Sequence, residues 1–389
     1  MKPDKRNCPI ILIHCQYVYG IGHLVRVSEL AHGLSKQFRV VILCGGEPVP
    51  GFELPENVEF IQLSAIYKEE KSESLIPIDP SLTLRECFLL RQELIKQSIE
   101  EIKPDILITE HFPFGLLFEN EVVALINKVK QVNPNAKIVC SVRDLIESIN
   151  GGKRDNYVCD LINSLYDMVL VHGDEKFAAL SKSFPSFSKI TIPIVHTGYI
   201  VTCIPTQINS ETTPIILASV AAGRLGGELL DALIDSHLFI KSKMDHKLIL
   251  FSGAFQKDFK DKENKVSSLR SNDISIQIFN RQKYLSNLSN ASLSISLGGY
   301  NSIIESVSAQ RKMLVYQREF AGGNDEQYMR IRLFEAIGFL NVITSEDLST
   351  EKLAKLILHR LTDLPIPEYK IDMNGVQTSN RSLIKLIGL

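Results

Sequence analysis

The stretch of this chain best suited to bind a ligand is LGGYNSIIE, from Leu297 to Glu305. Two glycines, Gly298 and Gly299, follow an apolar strand-like run, and Ser302 opens the helical pattern that comes next. Glycines let backbone amides approach a bound group, and a helix N-terminus offers unpaired N–H donors and partial positive charge to a phosphate. Glu305, expected on the first helical turn, could accept two hydrogen bonds from a ribose diol. The pattern therefore predicts a cradle for a nucleotide diphosphate.

Ser302 and Glu305 also have a purely structural interpretation. Ser-x-x-Glu is the spacing of a capping box, in which each side chain satisfies a backbone donor of the other residue. Taken alone, the pair favours this interpretation, although a glutamate that caps the turn would also face whatever the turn binds.

A second glycine turn, GIGHLVR, occupies residues 20–26, where a strand-like run gives way to a helical one. His23 in this turn could act as a general base, because imidazole titrates near neutral pH. Arg26, one helical turn on, would orient His23 or contact an anionic ligand. The alternative is a solvated histidine beside a glycine turn. The third glycine of a dinucleotide-binding fingerprint is missing at the required place.

Two polar pairs, Glu110-His111 and Arg143-Asp144, each follow a predicted strand of the N-terminal half. Ligands of open α/β sheets bind at the carboxyl ends of the strands, so both pairs are expected on the rim of the same sheet. Glu110, His111 or Asp144 could assist His23 or bind an acceptor molecule.

The loop that follows Glu110 is unusually apolar over residues 112–118. Core packing at the start of a helix is one interpretation, and a binding site for a hydrophobic acceptor is the other.

Two more segments of the C-terminal half could contact a ligand. Gly223 and Arg224 lie in a strand–turn–helix, where backbone amides and a guanidinium could hold a diphosphate, although a plain flexible loop fits equally well. Glu326 and Gln327 open a later helix, where acidic residues favour the helix dipole. These two side chains could also hydrogen-bond the neighbouring hydroxyls of a sugar.

Length and composition limit the classes of protein to consider. A chain of 389 residues suggests two domains, and its formal net charge of −2 gives no indication of nucleic-acid binding. The seven cysteines are scattered without a CxxC pair, which is typical of a reducing compartment rather than of disulfides or a zinc site. No apolar run approaches the roughly 18 residues of a membrane span. The charged N-terminus is a poor signal peptide, so we expect a cytoplasmic protein. The remaining histidines show no metal-ligand spacing, and we expect neither a metal nor a cofactor.

Strand-like and helix-like runs alternate through the chain, which predicts an α/β fold. An apolar strand over 9–14, a helical face over 24–34 and a strand over 38–44 form the first βαβ unit. Between 197 and 214 the pattern breaks into Gly, Pro, Thr, Asn and Ser, as in an inter-domain linker. We therefore expect two Rossmann-like domains that face each other across a cleft.

Together these segments resemble a GT-B glycosyltransferase similar to family 28, the group that includes the peptidoglycan enzyme acting on lipid-linked muramyl-pentapeptide. The resemblance covers most of the chain. Its C-terminal marker is a strand, two glycines, a hydroxyl residue, a glutamate three residues on, a second strand and then Glu326-Gln327. The N-terminal marker is the Gly-x-Gly-His turn.

The resemblance implies an acceptor domain over 1–200 and a nucleotide-sugar donor domain over 211–370, with a C-terminal helix over 371–389 that could pack back on the first domain. The roles expected on the donor side are Glu305 at the ribose, Phe279 near the base, Gly298, Gly299, Asn301 and Ser302 at the phosphates, Gly223 and Arg224 at the diphosphate, and Glu326 and Gln327 at the sugar. On the acceptor side we expect the catalytic residues His23, Glu110 and Asp144, surrounded by Gly22, Arg26, His111 and Arg143.

The chain also departs from the family pattern. The turn at 221–224 is poorer in Gly and Ser than is usual, and the segment Thr197-Gly198-Tyr199 lacks the basic residue that often follows there. Either Arg224 supplies this charge or diphosphate binding is weaker than in the relatives.

These patterns lead to three hypotheses on function. The first is an inverting, metal-independent transferase that moves a sugar from a UDP-sugar to the hydroxyl of a small-molecule or lipid-linked acceptor, with peripheral membrane contact left open. The second is a nucleotide-sugar hydrolase in which His23 activates water, since the Gly-x-Gly-His-x-x-Arg turn is similar to that of hydrolases of the same fold. The third is a regulatory protein that binds a nucleotide-sugar without turnover.

Overall fold

The computed structural model describes residues 8–68, 74–146, 152–202, 204, 213–220, 224–318, 325–362 and 367–389. The chain forms two compact units. Unit 1 consists of Met1–Pro48, Leu54–Val201 and Ile371–Leu389, and unit 2 consists of Val49–Glu53 and Thr202–Lys370. Each unit is built around a parallel sheet, so the predicted α/β class with two Rossmann-like domains is confirmed.

The strands of unit 1 are β1 (Ile10–Cys15), β2 (Arg39–Cys44), β3 (Val58–Gln62), β4 (Ile66–Lys68), β5 (Leu75–Pro77), β6 (Ile106–Glu110), β7 (Lys137–Arg143), β8 (Met168–His172) and β9 (Ile194–His196). Among the described residues, seven of them form a parallel sheet in the order β3-β2-β1-β6-β7-β8-β9, and β4 pairs antiparallel with β5. Ile11, Leu12 and Ile13 of β1 are completely buried, as expected of a strand packed on both faces.

The first helices of unit 1 are α1 (Gly22–Leu34), α2 (Leu84–Ile102), α3 (Glu119–Val132), α4 (Lys153–Leu165) and the short α5 (Glu175–Ala178). A capping box starts α2: the Thr83 Oγ1 accepts from the Glu86 amide at 3.2 Å, and the Glu86 carboxylate accepts from the Thr83 amide at 2.8 Å. This reciprocal pair fixes the entry of the longest helix of the unit.

Unit 2 has the strands β10 (Ile215–Ser219), β11 (Lys247–Ser252), β12 (Ile274–Ile278), β13 (Leu293–Leu297), β14 (Lys312–Tyr316) and β15 (Leu340–Ile343). They form a parallel sheet in the order β12-β11-β10-β13-β14-β15. Its helices are α6 (Gly227–Lys241), α7 (Phe259–Ser268), α8 (Arg281–Leu288), α9 (Tyr300–Ser308), α10 (Asp325–Ala336) and α11 (Thr350–Thr362).

Both sheets have a topological switch point beside their first strand. In unit 1, β1 lies between β2 and β6, and in unit 2, β10 lies between β11 and β13, so the chain winds outward in both directions from a central strand. Ligands of doubly wound sheets bind at this point, outside the carboxyl ends of the strands. The topology thus directs attention to the segments after β1 and β6, and to those after β10 and β13.

The last helix, α12 (Gly375–Leu386), belongs to unit 1 and packs against α1. The Tyr199 amide donates to the Asp372 carbonyl at 2.8 Å, and the Gly375 amide donates to the Tyr199 carbonyl at 3.1 Å. Residues 197–201, predicted as the start of the linker, are therefore part of unit 1, and Tyr199 is completely buried. Much of the remaining predicted linker lies outside the described residues.

Helix α9 begins at Tyr300, two residues earlier than the prediction. Gly299 is its N-cap residue, with extended backbone at φ −71° and ψ 148° and without a side-chain cap. Ser302 is thus the third residue of the helix, and the capping-box interpretation of Ser302 and Glu305 is wrong. Glu305 lies on the second turn rather than the first.

In the part of the chain that the structure describes, no helix combines the length and the apolar composition needed to cross a bilayer.

We predict that Gly375→Ala destabilises unit 1. A Cβ at this position would lie 2.6 Å from the carbonyl carbon and oxygen of Tyr199, and this backbone cannot simply rotate away. The expected loss in the free energy of unfolding is about 1–3 kcal/mol, measured by chemical denaturation. Gly20→Ala is the matched control, because no described atom lies within 4 Å of a Cβ there. Equal stability of the two variants would contradict the prediction.

Candidate active site

The first cluster of polar side chains lies at the switch point of unit 1. His23 is the second residue of α1, which follows β1, and Glu110 is the last residue of β6, the neighbour of β1. The Nδ1 of His23 lies 3.0 Å from the Oε1 of Glu110. The His23 side chain is 17% exposed, whereas the Glu110 carboxylate is fully buried. The fold therefore brings together two residues that are 87 positions apart in the sequence.

The hydrogen bonds of His23 define its tautomer. Arg143, at the end of β7, places its Nη2 at 2.9 Å from the Nε2 of His23. A guanidinium can only donate, so Nε2 accepts with its lone pair and Nδ1 carries the proton that is donated to Glu110. The imidazole is thus neutral, with its basic nitrogen at Nε2.

The charges around this pair favour a neutral histidine and an ionised glutamate. Burial, followed by the positive charge of Arg143, lowers the pKa of His23 despite the opposing effect of Glu110. Burial alone would raise the pKa of Glu110, but the charge of Arg26, with hydrogen bonds from His23 and Ser141, holds that pKa well below its usual range. Arg26 donates directly to the Oε1 of Glu110.

A chain of buried hydroxyl and imidazole groups leads away from the Oε2 of Glu110, the oxygen that does not contact His23. The Ser141 Oγ donates to the Oε2 of Glu110 at 2.8 Å and lies 3.0 Å from the Nε2 of His172. The Nδ1 of His172 lies 2.9 Å from the Oγ1 of Thr197. Burial, with a smaller effect of the charge of Arg26, lowers the pKa of His172 to about 3. His172 is therefore a neutral bridge at neutral pH.

Sequence reasoning missed Ser141, His172 and Thr197. The signal that could have revealed the first two is a polar residue inside an otherwise apolar parallel strand, because such strands are buried on both faces. Ser141 follows Cys140 inside β7, and His172 ends β8. A buried polar group needs a hydrogen-bond partner, and here the partners lie toward Glu110.

The other predicted residues of unit 1 lie around this cluster in different roles. The ring of His111 is 5.4 Å from that of His23, and its backbone has a φ of 71°, which is uncommon for a residue other than glycine. Gly22, the first residue of α1, is exposed. Asp144 is fully buried and accepts from the Tyr199 hydroxyl at 3.1 Å and from the Leu145 amide at 2.9 Å. These contacts give Asp144 a structural task, and its catalytic role stays a prediction.

In unit 2, the Gly298-Gly299 turn lies at the switch point, between β13 and α9. A Cβ at Gly298 would lie 2.5 Å from the Cδ1 of Ile331 on α10, so the helix packs directly on this glycine. At Gly299, by contrast, no described atom lies within 4 Å of a Cβ position. The turn is therefore closed on one side and open at Gly299, so an anion could approach the N-terminus of α9 from there.

Glu305 and Phe279, the residues predicted at the ribose and the base, both contact α8, the helix that follows β12. Glu305 is nearly buried, and its Oε1 accepts from the Nη1 of Arg281 at 2.6 Å. The Nη2 of Arg281 also donates to the Oγ1 of Thr202 at 3.1 Å. Phe279 directly follows β12, and its ring centroid lies 5.5 Å from that of Tyr284. Arg281 is thus a functional candidate that sequence reasoning missed.

The predicted sugar-binding pair opens α10. Glu326 is buried and accepts from the Nη2 of Arg330 at 2.6 Å, and Arg330 lies 5.6 Å from the centroid of the Tyr300 ring at the start of α9. Glu326 therefore helps to hold α10 against α9. Gln327 next to it is half-buried, as are Asn301 and Ser302 in the first turn of α9.

The predicted diphosphate turn after β10 is described in part. Gly223 lies outside the described residues, and Arg224 is exposed with its guanidinium 4.8 Å from the centroid of the Phe255 ring. Gly226, at φ 85°, caps α6. The Gln256 side chain donates to the Leu225 carbonyl at 3.1 Å, so the loop after β11 supports this turn.

A buried lysine also supports the start of α6. The Nζ of Lys262 donates to Asp231 at 2.8 Å and to Asp258 at 2.6 Å, and it lies 3.4 Å from the position of a Cβ at Gly227. Two carboxylates thus accept from the one cation, and Lys262 links α6 to α7. Within the described residues, no group of three or more His, Cys, Asp or Glu side chains is arranged to hold a metal ion.

The fold is that of GT-B glycosyltransferases, and comparison with known structures supports this fold. The MurG protein of Acinetobacter baumannii is 13% identical with a TM-score of 0.56, over 98% of this chain and 99% of that one. The Medicago truncatula UGT71G1 complexed with UDP-glucose is 15% identical with a TM-score of 0.58, over 100% and 99%. The UDP-GlcNAc 2-epimerase of Methanocaldococcus jannaschii is 13% identical with a TM-score of 0.59, over 97% and 99%.

The family comparison is more specific. Residues 217–386 match the glycosyltransferase family 28 C-terminal domain. No curated protein sequence matches the chain. The resemblance to GT-B glycosyltransferases of the family 28 type that the sequence predicts is therefore confirmed, and the comparisons support the predicted enzyme class, a glycosyltransferase.

We predict that His172 makes unit 1 less stable in acid. The unfolded chain takes up a proton as the pH falls below about 6.5, whereas folded His172 stays neutral down to about pH 3. Stability is therefore present above pH 6.5 and is lost as the pH falls toward 3, by up to about 1.4 kcal/mol per pH unit.

The measurement is the free energy of unfolding between pH 7 and 4. His172→Gln is expected to reduce the slope, and His32→Gln, an exposed position on α1, is the control. The same slope in wild type and His172→Gln would show that His172 does not account for the acid sensitivity.

Proposed function

We propose that this chain is an inverting, metal-independent glycosyltransferase that moves a sugar from a UDP-sugar to an acceptor hydroxyl. The observation that carries the proposal is the His23–Glu110 pair, a half-buried imidazole whose Nδ1–H is held by a buried carboxylate at the switch point of unit 1. The match of residues 217–386 to a family of sugar transferases supports the reaction class.

The donor is assigned to unit 2. The open start of α9 at Gly299, with Asn301 and Ser302 behind it, would receive the diphosphate through backbone amides. Glu305 would accept hydrogen bonds from the ribose, and the Arg281 guanidinium that already bonds Glu305 would hold the carboxylate in place. Phe279 would lie beside the base.

The remaining donor contacts are assigned from position. Glu326 and Gln327 at the start of α10 would hold the transferred sugar, and Gly223 with Arg224 would face the diphosphate from the turn before α6. Helix N-termini and Arg224 would stabilise the charge of the departing diphosphate, which is the task that a divalent metal performs in other transferases.

The acceptor is assigned to unit 1, where His23 is the general base. Its Nε2 takes the proton of the acceptor hydroxyl while the oxygen attacks the anomeric carbon of the donor. The bond from that carbon to the diphosphate oxygen breaks, and its electron pair leaves with the nucleotide diphosphate. A single displacement inverts the anomeric configuration. Glu110 stabilises the imidazolium that forms, because its charge lies next to Nδ1–H.

A cavity of about 620 Å³ in unit 1, with apolar and charged side chains in its lining, supports a lipid-linked acceptor. It lies between α2 and α3 and is lined in part by Phe88, Leu117 and Phe118. Phe112 and Phe114 of the apolar loop are buried in the core, whereas Leu117 is 49% exposed. Leu89 is 55% exposed and precedes the cavity residues Gln92 and Lys96 by three and seven positions, which places it on the same helical face.

Leu89 and Leu117 add an exposed apolar surface next to the cavity. Contiguous apolar patches of this kind mark interaction sites, whereas single exposed leucines are normal on a protein surface. A polyprenyl or acyl chain would fit the cavity, and the neighbouring Leu89 and Leu117 would contact the bilayer that carries it. The enzyme would then work at the surface of a membrane, from the cytoplasmic side that the scattered cysteines indicate.

We predict that one UDP-sugar stabilises the protein against heat in a panel of nucleotide-sugars and serves as donor for transfer. His23→Ala is expected to reduce the transfer rate by about 10²–10⁴-fold because it removes the base, while donor binding to unit 2 stays unchanged. The measurements are thermal shift and the release of nucleotide diphosphate with and without acceptor, with His32→Gln as the control.

Other outcomes of this experiment select the competing functions. Rapid release without acceptor that His23→Ala abolishes would make the protein a hydrolase. Binding of a donor without turnover in any acceptor screen would favour the regulatory protein. If no nucleotide-sugar binds, the proposed function is wrong.

We predict that replacement of Leu89 and Leu117 by serine weakens binding to phospholipid vesicles by about tenfold or more, because the two side chains lose apolar contact with the bilayer. Both positions are exposed, so the fold should persist. The measurement is co-sedimentation with vesicles that contain an anionic phospholipid. Leu238→Ser is the matched control, since Leu238 is 54% exposed on α6 of unit 2. Equal binding of all variants would remove this surface from the proposal.

A further inference from the structure

Both ring nitrogens of His23 are occupied. Nδ1 lies 3.0 Å from the Oε1 of Glu110, and Nε2 lies 2.9 Å from the Nη2 of Arg143. The imidazole has one lone pair, at Nε2, and this lone pair already accepts from Arg143. The nitrogen that has to receive the proton of the acceptor is therefore covered in this structure.

Arg143 cannot pass a proton on to His23. A guanidinium stays protonated in proteins and has no acceptor atom, so it only competes with an incoming hydroxyl for the lone pair. Once Nε2 is protonated, its N–H would face the N–H of Arg143, and two cations would be in contact. Proton transfer to His23 thus requires that Arg143 first moves away from Nε2.

We infer that Arg143 is a positioning residue that covers the base of the proposed transferase until an acceptor hydroxyl displaces it. Water is the smallest hydroxyl that could bind at Nε2, and activated water would hydrolyse the donor. If Nε2 were uncovered beside a bound nucleotide-sugar, the donor would therefore be hydrolysed without transfer of its sugar to the acceptor. Arg143 keeps the site a transferase rather than a hydrolase. This inference rests on the proposed function.

The other charged and titratable groups near His23 lie on its Nδ1 side or beside its ring, and they leave Nε2 to Arg143. Glu110 faces the ring from β6, Arg26 faces it from α1 with its Nη2 at 3.4 Å from Nδ1, and the His111 ring lies 5.4 Å away after β6. The Arg26 and Glu110 charges already balance each other in a direct contact. Arg143 from β7 therefore adds a positive charge on the Nε2 side of His23.

The test compares Arg143→Met, which keeps much of the side-chain length without a donor or a charge, with Arg143→Lys, which keeps both. The first readout is the pKa of His23 in the substrate-free protein, from NMR titration of the ring signals, which His23→Gln assigns. We expect a higher pKa in Arg143→Met than in wild type, because a nearby cation is lost, and a smaller change in Arg143→Lys.

The second readout is the release of nucleotide diphosphate from the donor that thermal shift identifies. Without acceptor, release by Arg143→Met is expected to rise at least about tenfold relative to wild type, whereas transfer to the acceptor changes less. Arg154→Met is the control: Arg154 is another half-buried arginine of unit 1, whose Nη2 donates to the Phe114 carbonyl at 3.2 Å.

Two results would overturn the inference. An unchanged His23 pKa in Arg143→Met would show that Arg143 does not cover the base in solution. Unchanged release without acceptor, combined with slower transfer, would make Arg143 an acceptor-binding residue instead. If no donor binds or reacts in any variant, the proposed function fails and this role fails with it, while the titration still reports separately on the His23–Arg143 contact.

Discussion

The organisation of unit 1 depends on one buried carboxylate. A glutamate removed from water is costly unless donors satisfy its oxygens, and Glu110 receives them from Arg26, His23 and Ser141. These donors come from α1 and from β7, so the ion ties β6 to the helix after β1 and to the neighbouring strand. Because the carboxylate accepts the hydrogen bond of Nδ1–H, it also determines that Nε2 is the basic nitrogen of His23.

Unit 2 presents its site in a different way. Its switch point relies on backbone more than on side-chain charge: Gly298 lets α10 pack closely, and Gly299 leaves the start of α9 open. The charged residues near this turn are already engaged with one another, Glu305 with Arg281 and Glu326 with Arg330. Such pairs fix positions without adding net charge, which would suit the binding and release of an anion in the proposed reaction.

The sequence predicted the fold well because apolar strands buried on both faces are continuous runs that local inspection detects. It also predicted that His23 and Glu110 lie at the carboxyl ends of strands in one sheet, and the two strands meet at a switch point. It misjudged the start of α9, because Ser302 and Glu305 have the spacing of a capping box while an extended glycine was sufficient to cap the helix.

The contacts that the sequence could not give are those between distant positions. Nothing local indicates that Arg143 reaches the Nε2 of His23 across 120 positions, or that Arg281 pairs with Glu305 on another helix. The exact partner of a polar side chain is set by three-dimensional packing, whereas its presence on the rim of a sheet is set by the strand pattern. The positions of the candidate residues on the sheet were therefore accessible from the sequence, whereas their contacts were not.

The place of α12 has a consequence for synthesis on the ribosome. Unit 1 is discontinuous along the chain, and its last segment, Ile371–Leu389, follows all of unit 2, in which all but five residues form the continuous stretch Thr202–Lys370. Most of unit 2 therefore leaves the ribosome as one stretch while the α1 surface next to Gly33 still awaits Val376. Domains fold largely in the order in which they are made, so here the first domain to be started is the last to be completed.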